Sequence, residues 1–239
     1  GQGTQRLEET LAALLPAARI RRIDRDTMRP RAWAELGEAV HGGEVDILVG
    51  TQMLAKGHDF PNMTLALILD TDGALYSPDF RATERLFAQL MQVAGRAGRA
   101  DKAGRVLIQT AFPDHPLFRY LQRHDYAGYA RELLAERKQL DLPPFTRQVL
   151  LRAEATTMDA ALAFLQRAAA LTPDSGEVSV FGATPAPMAR VANLERAQLL
   201  IQSASRLALQ AFVRDWRPHL DTIKPRVARW SLDVDPLVF

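Results

Sequence analysis

The prolines at 143 and 144 limit the architecture of this chain more than any other pair of residues. Leu142-Pro143-Pro144-Phe145 cannot continue a helix, because proline has no N–H to donate and disfavours helical geometry in the residue before it. The chain is therefore expected to divide into a domain over residues 1–142 and a second over 146–239. At 239 residues and 47% hydrophobic, it has material for two ordinary domains.

Before the break, short apolar runs alternate with amphipathic stretches. Leu7, Leu11, Leu14 and Leu15 give a first helix its buried stripe, with Thr4 as its cap. Arg19–Ile23 reads as a short strand, 24–27 as a charged turn, and Pro30–Val40 as a helix ended by Gly42-Gly43. Asp46–Gly50 and Leu65–Asp70 read as buried strands. Ser77-Pro78-Asp79 is a helix start, and that helix would bury Phe80, Leu86, Phe87, Leu90 and Met91. Gly104–Thr110 supplies a last strand. This alternation implies an open, mostly parallel α/β sheet. Two further helices, His115–Arg123 and Asp125–Leu140, are expected to pack back on it.

After the break the order is different. A strand at Gln148–Ala155 turns Val149, Leu151, Ala153 and Ala155 to one face. A helix at Met158–Leu171, a strand at Val178–Phe181, a turn at Pro185-Ala186-Pro187 and a strand at Arg196–Gln202 follow. A helix at Ser205–Trp216 and a strand at Arg226–Val234 complete a β-α-β-β-α-β series, the α+β ferredoxin-like (split βαβ) arrangement. Trp216 and Trp230 fall in phase with apolar neighbours and are expected in the core. The strands at 148–155 and 196–202 lack aromatics, which disfavours base stacking on this sheet. Arg147, Arg190, Arg196 and Arg206 are loosely placed candidates for phosphate contacts, with ordinary solvated charge as the competing reading.

Two segments carry chemistry. In Gln92-Val93-Ala94-Gly95-Arg96-Ala97-Gly98-Arg99, a continued helix puts Gln92, Arg96 and Arg99 at i, i+4 and i+7 on one stripe. Gly95 and Gly98 leave that stripe uncluttered, and two arginines with a glutamine suit a tetrahedral or planar oxygen group. The other segment runs from Gly50-Thr51-Gln52 through Lys56-Gly57-His58-Asp59 to Pro61. It places Thr51 and free backbone N–H groups at the carboxyl edge of a parallel sheet, where such folds bind ligands, and it exposes Asp59. Leu67-Ile68-Leu69-Asp70, with Asp72 close behind, imitates the strand aspartate that holds magnesium in P-loop enzymes. No G-x-x-x-x-G-K-[ST] loop exists in the chain, so these aspartates are read as decoys.

Charge and composition narrow the field only slightly. Thirty basic and 28 acidic residues leave a net charge of +2, balanced at 19 each through residue 145 and standing at 11 to 9 beyond it. That balance does not itself announce nucleic-acid binding. Cysteine is absent, which excludes disulfides, thiol nucleophiles and cysteine-bound zinc. The five histidines lack metal-ligand spacing. No apolar run approaches a membrane span, and nothing at the start reads as a signal peptide. The opening Gly1-Gln2-Gly3-Thr4 lacks an initiator methionine, so a fragment of something longer is expected.

Gly50-Thr51 with Lys56-Gly57-x-Asp59 resembles motif V of superfamily-two helicases, and Gln92–Arg99 resembles their motif VI. The wording is closer still to the replication-restart helicases of the primosome. It runs through Gly3–Glu9, Arg22–Thr27, Gly50–Pro61, Ser77–Arg81, Gln92–Ala100, Pro143–Phe145, Pro185–Pro187, Gln198–Gln202 and Trp230–Pro236. The resemblance implies a RecA-like second helicase lobe followed by a C-terminal domain, and ATP-driven 3′-to-5′ DNA unwinding at stalled forks. It implies catalytic roles for Arg96 and Arg99 and nucleotide contacts for Gly57, Asp59 and Gln92. DNA contacts are implied for Thr51, Gln52 and Thr4. It further implies ATP with magnesium, and zinc bound by cysteine pairs that this chain does not have. Implied partners are single-stranded and forked DNA, single-stranded-DNA-binding protein and primosome proteins, for a monomer in the bacterial cytoplasm, at the nucleoid, with no membrane. Two other readings stay open, a double-stranded DNA translocase of repair and a non-enzymatic interaction module on the same fold.

Overall fold

The structure is a computed structural model and describes residues 2–23, 30–51, 63–97, 104–224, 227 and 229–237. It comprises two units, Gly1–Tyr129 and Ala130–Phe239.

The first unit opens with helix α1 (Gln2–Leu14), strand β1 (Ile20–Ile23), helix α2 (Pro30–His41) and strand β2 (Ile47–Gly50). α1 begins at Gln2, so Thr4 sits inside its first turn and does not cap it, contrary to expectation. β1 and β2 pair in parallel from Ile20↔Ile47 to Ile23↔Gly50, which requires a crossover such as the one containing α2. Their start is fastened by Asp46. Its carboxylate accepts from the Arg19 backbone N–H at 2.8 Å and from Nε and Nη2 at 2.9 and 2.7 Å. Within β2 only Val49 is fully buried, so the expected fully buried strand is a half-covered one beginning after Asp46. α2 ends as its glycine pair predicts. Gly43 takes a φ of 71°, and the Glu44 N–H reaches the Ala39 carbonyl at 2.8 Å, closing a Schellman-type turn.

Strands β3 (Leu65–Ile68) and β4 (Arg105–Ile108) form a second parallel pair, Leu65↔Arg105 to Ile68↔Ile108. Among the described residues the expected single open sheet is thus two separate two-stranded pairs. The 65–70 segment also departs from a buried strand. It ends at Ile68, and Leu65, Leu67 and Leu69 are about half exposed while Ala66 is buried. An unbroken apolar run does not distinguish a strand covered on both faces from one covered on a single face.

A short helix α3 (Asp72–Leu75) leads to helix α4 (Ala82–Ala94). The expected start at Ser77–Asp79 is a pair of side-chain turns. The Asp79 N–H donates to Ser77 Oγ at 3.2 Å and the Arg81 N–H to Asp79 Oδ1 at 2.9 Å. These local bonds replace helical ones and delay the helix by a turn. α4 buries Leu86, Phe87 and Leu90; Phe80 and Met91 are only half-buried. Helix α5 (Pro116–Gln122) and the start of helix α6 (Tyr126–Gln139) complete this core. Phe87 lies 4.3 Å from Tyr129 between ring centroids, and Leu117 and Leu121 are buried.

The second unit contains β5 (Arg147–Ala155), α7 (Met158–Ala170), β6 (Ser179–Val180), β7 (Thr184–Val191), β8 (Leu194–Ser203), α8 (Arg206–Leu220) and β9 (Arg229–Val234). Its antiparallel sheet has the order β6-β8-β5-β9, with β7 also paired to β8. Val149, Leu151, Ala153 and Ala155 pack with Ala197, Leu199 and Ile201 against Phe164, Leu165, Leu209, Phe212 and Trp216. Trp216 is fully buried and its indole N–H donates to the Ala168 carbonyl at 2.9 Å, satisfying the one polar atom of the largest core side chain. Trp230 packs against that core partly buried. Thr157 and Ser205 cap α7 and α8 by accepting from the N–H of Ala160 and Ala208. The prolines at 185 and 187 mark a strand where a turn was expected. β7 pairs with β8 through a register shift between Pro185 and Arg190, and an irregular edge strand tolerates missing donors. Ala192 and Asn193, with φ of 49° and 64°, make the hairpin turn.

Candidate functional site

α4 carries Gln92 in its last turn, exposed to solvent. The helix proper stops at Ala94 with Gly95 as its cap, so the expected continuous stripe through Arg96 is corrected. Helical hydrogen bonding tightens as it runs out. The Gly95 N–H reaches the Met91 carbonyl at 3.0 Å, the Arg96 N–H the Val93 carbonyl at 3.1 Å and the Ala97 N–H the same carbonyl at 3.2 Å. Glycine is a poor interior helix residue, and shared acceptors are usual at a helix end. Arg96, half-buried, follows Gln92 by about one turn on this tightened end. The packed face of α4 (Leu86, Phe87 and Leu90) fixes the base from which both project. Arg99 and Gly98 lie outside the described residues.

Thr51 is exposed just beyond the carboxyl end of β2, at the strand edge where the sequence predicts it. Gln52, Gly57 and Asp59 lie outside the described residues. Thr4 is half-buried in the first turn of α1. The structure therefore places Gln92 and Arg96 about one turn apart at the end of α4 and Thr51 at the end of its strand.

Two of the acids after β3, Asp72 and Asp79, have structural partners. Asp72 Oδ1 accepts from the Thr110 hydroxyl and Oδ2 from the Ala111 N–H at 2.9 Å. These bonds hold its carboxyl below the usual range, the Thr110 hydroxyl being the largest cause. Asp79 accepts from Arg81 and pairs with Arg85. Both Asp72 oxygens are thus engaged within the protein. Among the described residues no group of three or more His, Asp or Glu side chains is placed to hold a metal, and the chain has no cysteine for zinc.

In the second unit, Arg147 donates to the Pro144 carbonyl at 2.8 Å. Arg190 lies 3.7 Å from Glu195, and Arg196 lies 3.2 Å from Glu154, which also pairs with Arg229. Arg206 is exposed in the first turn of α8. Sequence reasoning overlooked two exposed aromatics, Tyr76 and Phe112, whose rings meet at 4.6 Å. The available signal was their placement, each following a strand of one parallel pair and preceding a proline-containing turn.

Comparison with known proteins matches two separate stretches of the chain. The model of the family described as "Helicase conserved C-terminal domain" matches residues 2–101. That described as "Primosomal protein N C-terminal domain" matches residues 138–237. A replication restart protein PriA of Haemophilus influenzae is 44% identical over 239 residues, covering 99% of this chain and 33% of that protein. The proteins of the same name from Bacillus subtilis and Treponema pallidum are 37% and 38% identical, each over 99% of this chain and over 30% and 36% of their own lengths. The chain spans about a third of the length of these curated relatives. With a helicase C-terminal domain and a primosomal C-terminal domain in the same order, the chain belongs to the PriA family of replication restart proteins.

Proposed function

We propose that this chain is the C-terminal part of an ATP-dependent 3′-to-5′ DNA helicase that recognises stalled forks and restarts replication by primosome assembly. Its first domain, over residues 1–142, acts as the second RecA-like lobe. The observation that carries this reading is the placing of Gln92 in the last turn of a packed helix and of Arg96 just past its cap, inside the segment matched by the helicase family. In the full-length protein, Arg96 and Arg99 reach the terminal phosphates of ATP bound on the other lobe. Gln92 supports them and Gly57 and Asp59 lie at the nucleotide.

Phosphoryl transfer depends on positioning and charge stabilisation, and an arginine supplied from a second surface contributes about 10³–10⁵ in rate. Such an arginine acts only when the lobes close, which couples hydrolysis to movement along DNA. Thr51, Gln52 and Thr4 touch the DNA backbone. Magnesium and zinc are assigned to the rest of the protein: this chain has no cysteine to hold the zinc, and among the described residues no group of three or more His, Asp or Glu is placed to hold a metal. The second domain, over 146–239, is of the ferredoxin-like type. Its supports are the antiparallel order β6-β8-β5-β9, the crossings made by α7 and α8, and a family match that begins at residue 138. It helps hold single-stranded and forked DNA and the partner proteins, single-stranded-DNA-binding protein and the primosome components. The protein works as a monomer in the bacterial cytoplasm.

Unwinding of tailed duplexes tests this directly. The full-length protein is expected to hydrolyse ATP and separate a 3′-tailed duplex but not a 5′-tailed one, and the 239-residue chain alone to hydrolyse none. Hydrolysis by the isolated chain, or unwinding from 5′ tails only, would contradict it.

A further inference from the structure

We propose that Tyr76 and Phe112 form a stacking platform for the bases of single-stranded DNA. Tyr76 and Phe112 are 62% and 41% exposed, large aromatic residues left in water by two separate turns. They meet edge to face, with centroids 4.6 Å apart and planes inclined by 60°, a geometry favoured by ring quadrupoles. Their exposure is built by a hydrogen-bonded frame. The Gln109 N–H donates to the Ile68 carbonyl at 2.9 Å and Thr71 Oγ1 to the Gln109 carbonyl at 3.1 Å, tying the carboxyl ends of β3 and β4 together. Asp72 is anchored on Thr110 and Ala111, the Tyr76 N–H donates to the Asp72 carbonyl at 3.2 Å, and the Phe112 N–H donates to Thr110 Oγ1 at 3.0 Å. Both aromatics are therefore held at the carboxyl end of one parallel pair, the edge at which such sheets meet ligands.

The chemistry of the platform selects its occupant. In sequence the rings are flanked by Ser77-Pro78 and by Pro113-Asp114, with no arginine or lysine among these residues. Two exposed aromatic side chains held side by side suit a planar base. Stacking is tolerant of sequence because every base offers a π-face, which is what a protein moving along a strand needs. The inference rests on the helicase reading above and adds to it a contact with bases, where the residues named there meet backbone or nucleotide.

The test uses full-length protein and fluorescence anisotropy with a labelled oligo-dT over a range of salt. Tyr76→Ala with Phe112→Ala is expected to weaken binding about five- to a hundredfold at each salt concentration. The slope of log affinity against log salt should not change, because no phosphate contact is removed. An abasic strand of the same length should bind wild type and variant equally, and Tyr76→Phe should retain wild-type affinity. Unchanged affinity for oligo-dT, a shallower salt slope, or an equal loss on the abasic strand would each overturn the platform. Wild-type protein that binds no single strand at all would instead remove the helicase reading beneath it. A variant weakened for ATP but not for oligo-dT would reassign the rings to the free nucleotide and overturn the proposal.

Discussion

Asp46 accepts three hydrogen bonds from one residue, Arg19, at the point where β1 and β2 begin. The Arg19 side-chain bonds, then its backbone N–H, lower the Asp46 carboxyl from 3.8 to about 2. A carboxylate depressed on folding contributes stability that is present above its unfolded value and lost as pH falls through the folded one. Urea unfolding between pH 5 and pH 2 should therefore show wild type losing its advantage over Asp46→Asn, the difference shrinking from about pH 4 downward. A difference that stays constant over that window would show that the pair does not set the acid response. The same scale shows what the residues themselves disclosed. Trp216 was legible because its apolar phase and its size leave it few places but the core. Asp70 and Asp72 were read as decoys through the missing P-loop, and at Asp72 the structure adds the bonds from Thr110 and Ala111, which no spacing announced. Thr4 misled, because a threonine at a chain start satisfies the capping pattern wherever the helix actually begins.

Among the elements, α6 depends on a tight start. The Gly128 N–H donates to Asp125 Oδ1 at 2.7 Å, and a Cβ at position 128 would stand 2.1 Å from Asp125 Oδ2 and 2.8 Å from Tyr120 Cε1. Gly128→Ala must expel that carboxylate and move the ring, so it should destabilise the first unit by about 1–3 kcal/mol. Thermal or urea unfolding measures this, and an unaffected midpoint would contradict it. Elements with strong periodicity or clear caps were readable in advance. The helices from Met158 and from Ser205 appear where their spacing and capping residues put them. β7 was not readable, because two prolines suggest a turn and only pairing with β8 makes that stretch a strand. The short strands of the first unit were found but their covering was misjudged, since burial on a second face is decided by distant residues.

At the scale of the whole molecule, the proline pair predicted a boundary near residue 143, and the structure divides between Tyr129 and Ala130, inside α6. The two differ because contact follows packing, and the first turn of α6 packs its Tyr129 against Phe87. The family matches end at residue 101 and begin again at 138, on either side of Tyr129 and Ala130, and the second match runs across residue 143. Half of the candidate site, Gln92, Arg96, Thr51 and Thr4, lies in the described residues, and spacing alone located the glutamine and arginine one turn apart. Spacing did not reveal that the helix ends between them. The central claim is that Arg96 completes a nucleotide site from across a lobe boundary, and DNA-stimulated ATP turnover by full-length protein carrying Arg96→Ala tests it most directly. The account predicts a fall in kcat of about 10³-fold or more, with single-stranded DNA affinity largely retained; near-normal turnover at saturating DNA and ATP would contradict it.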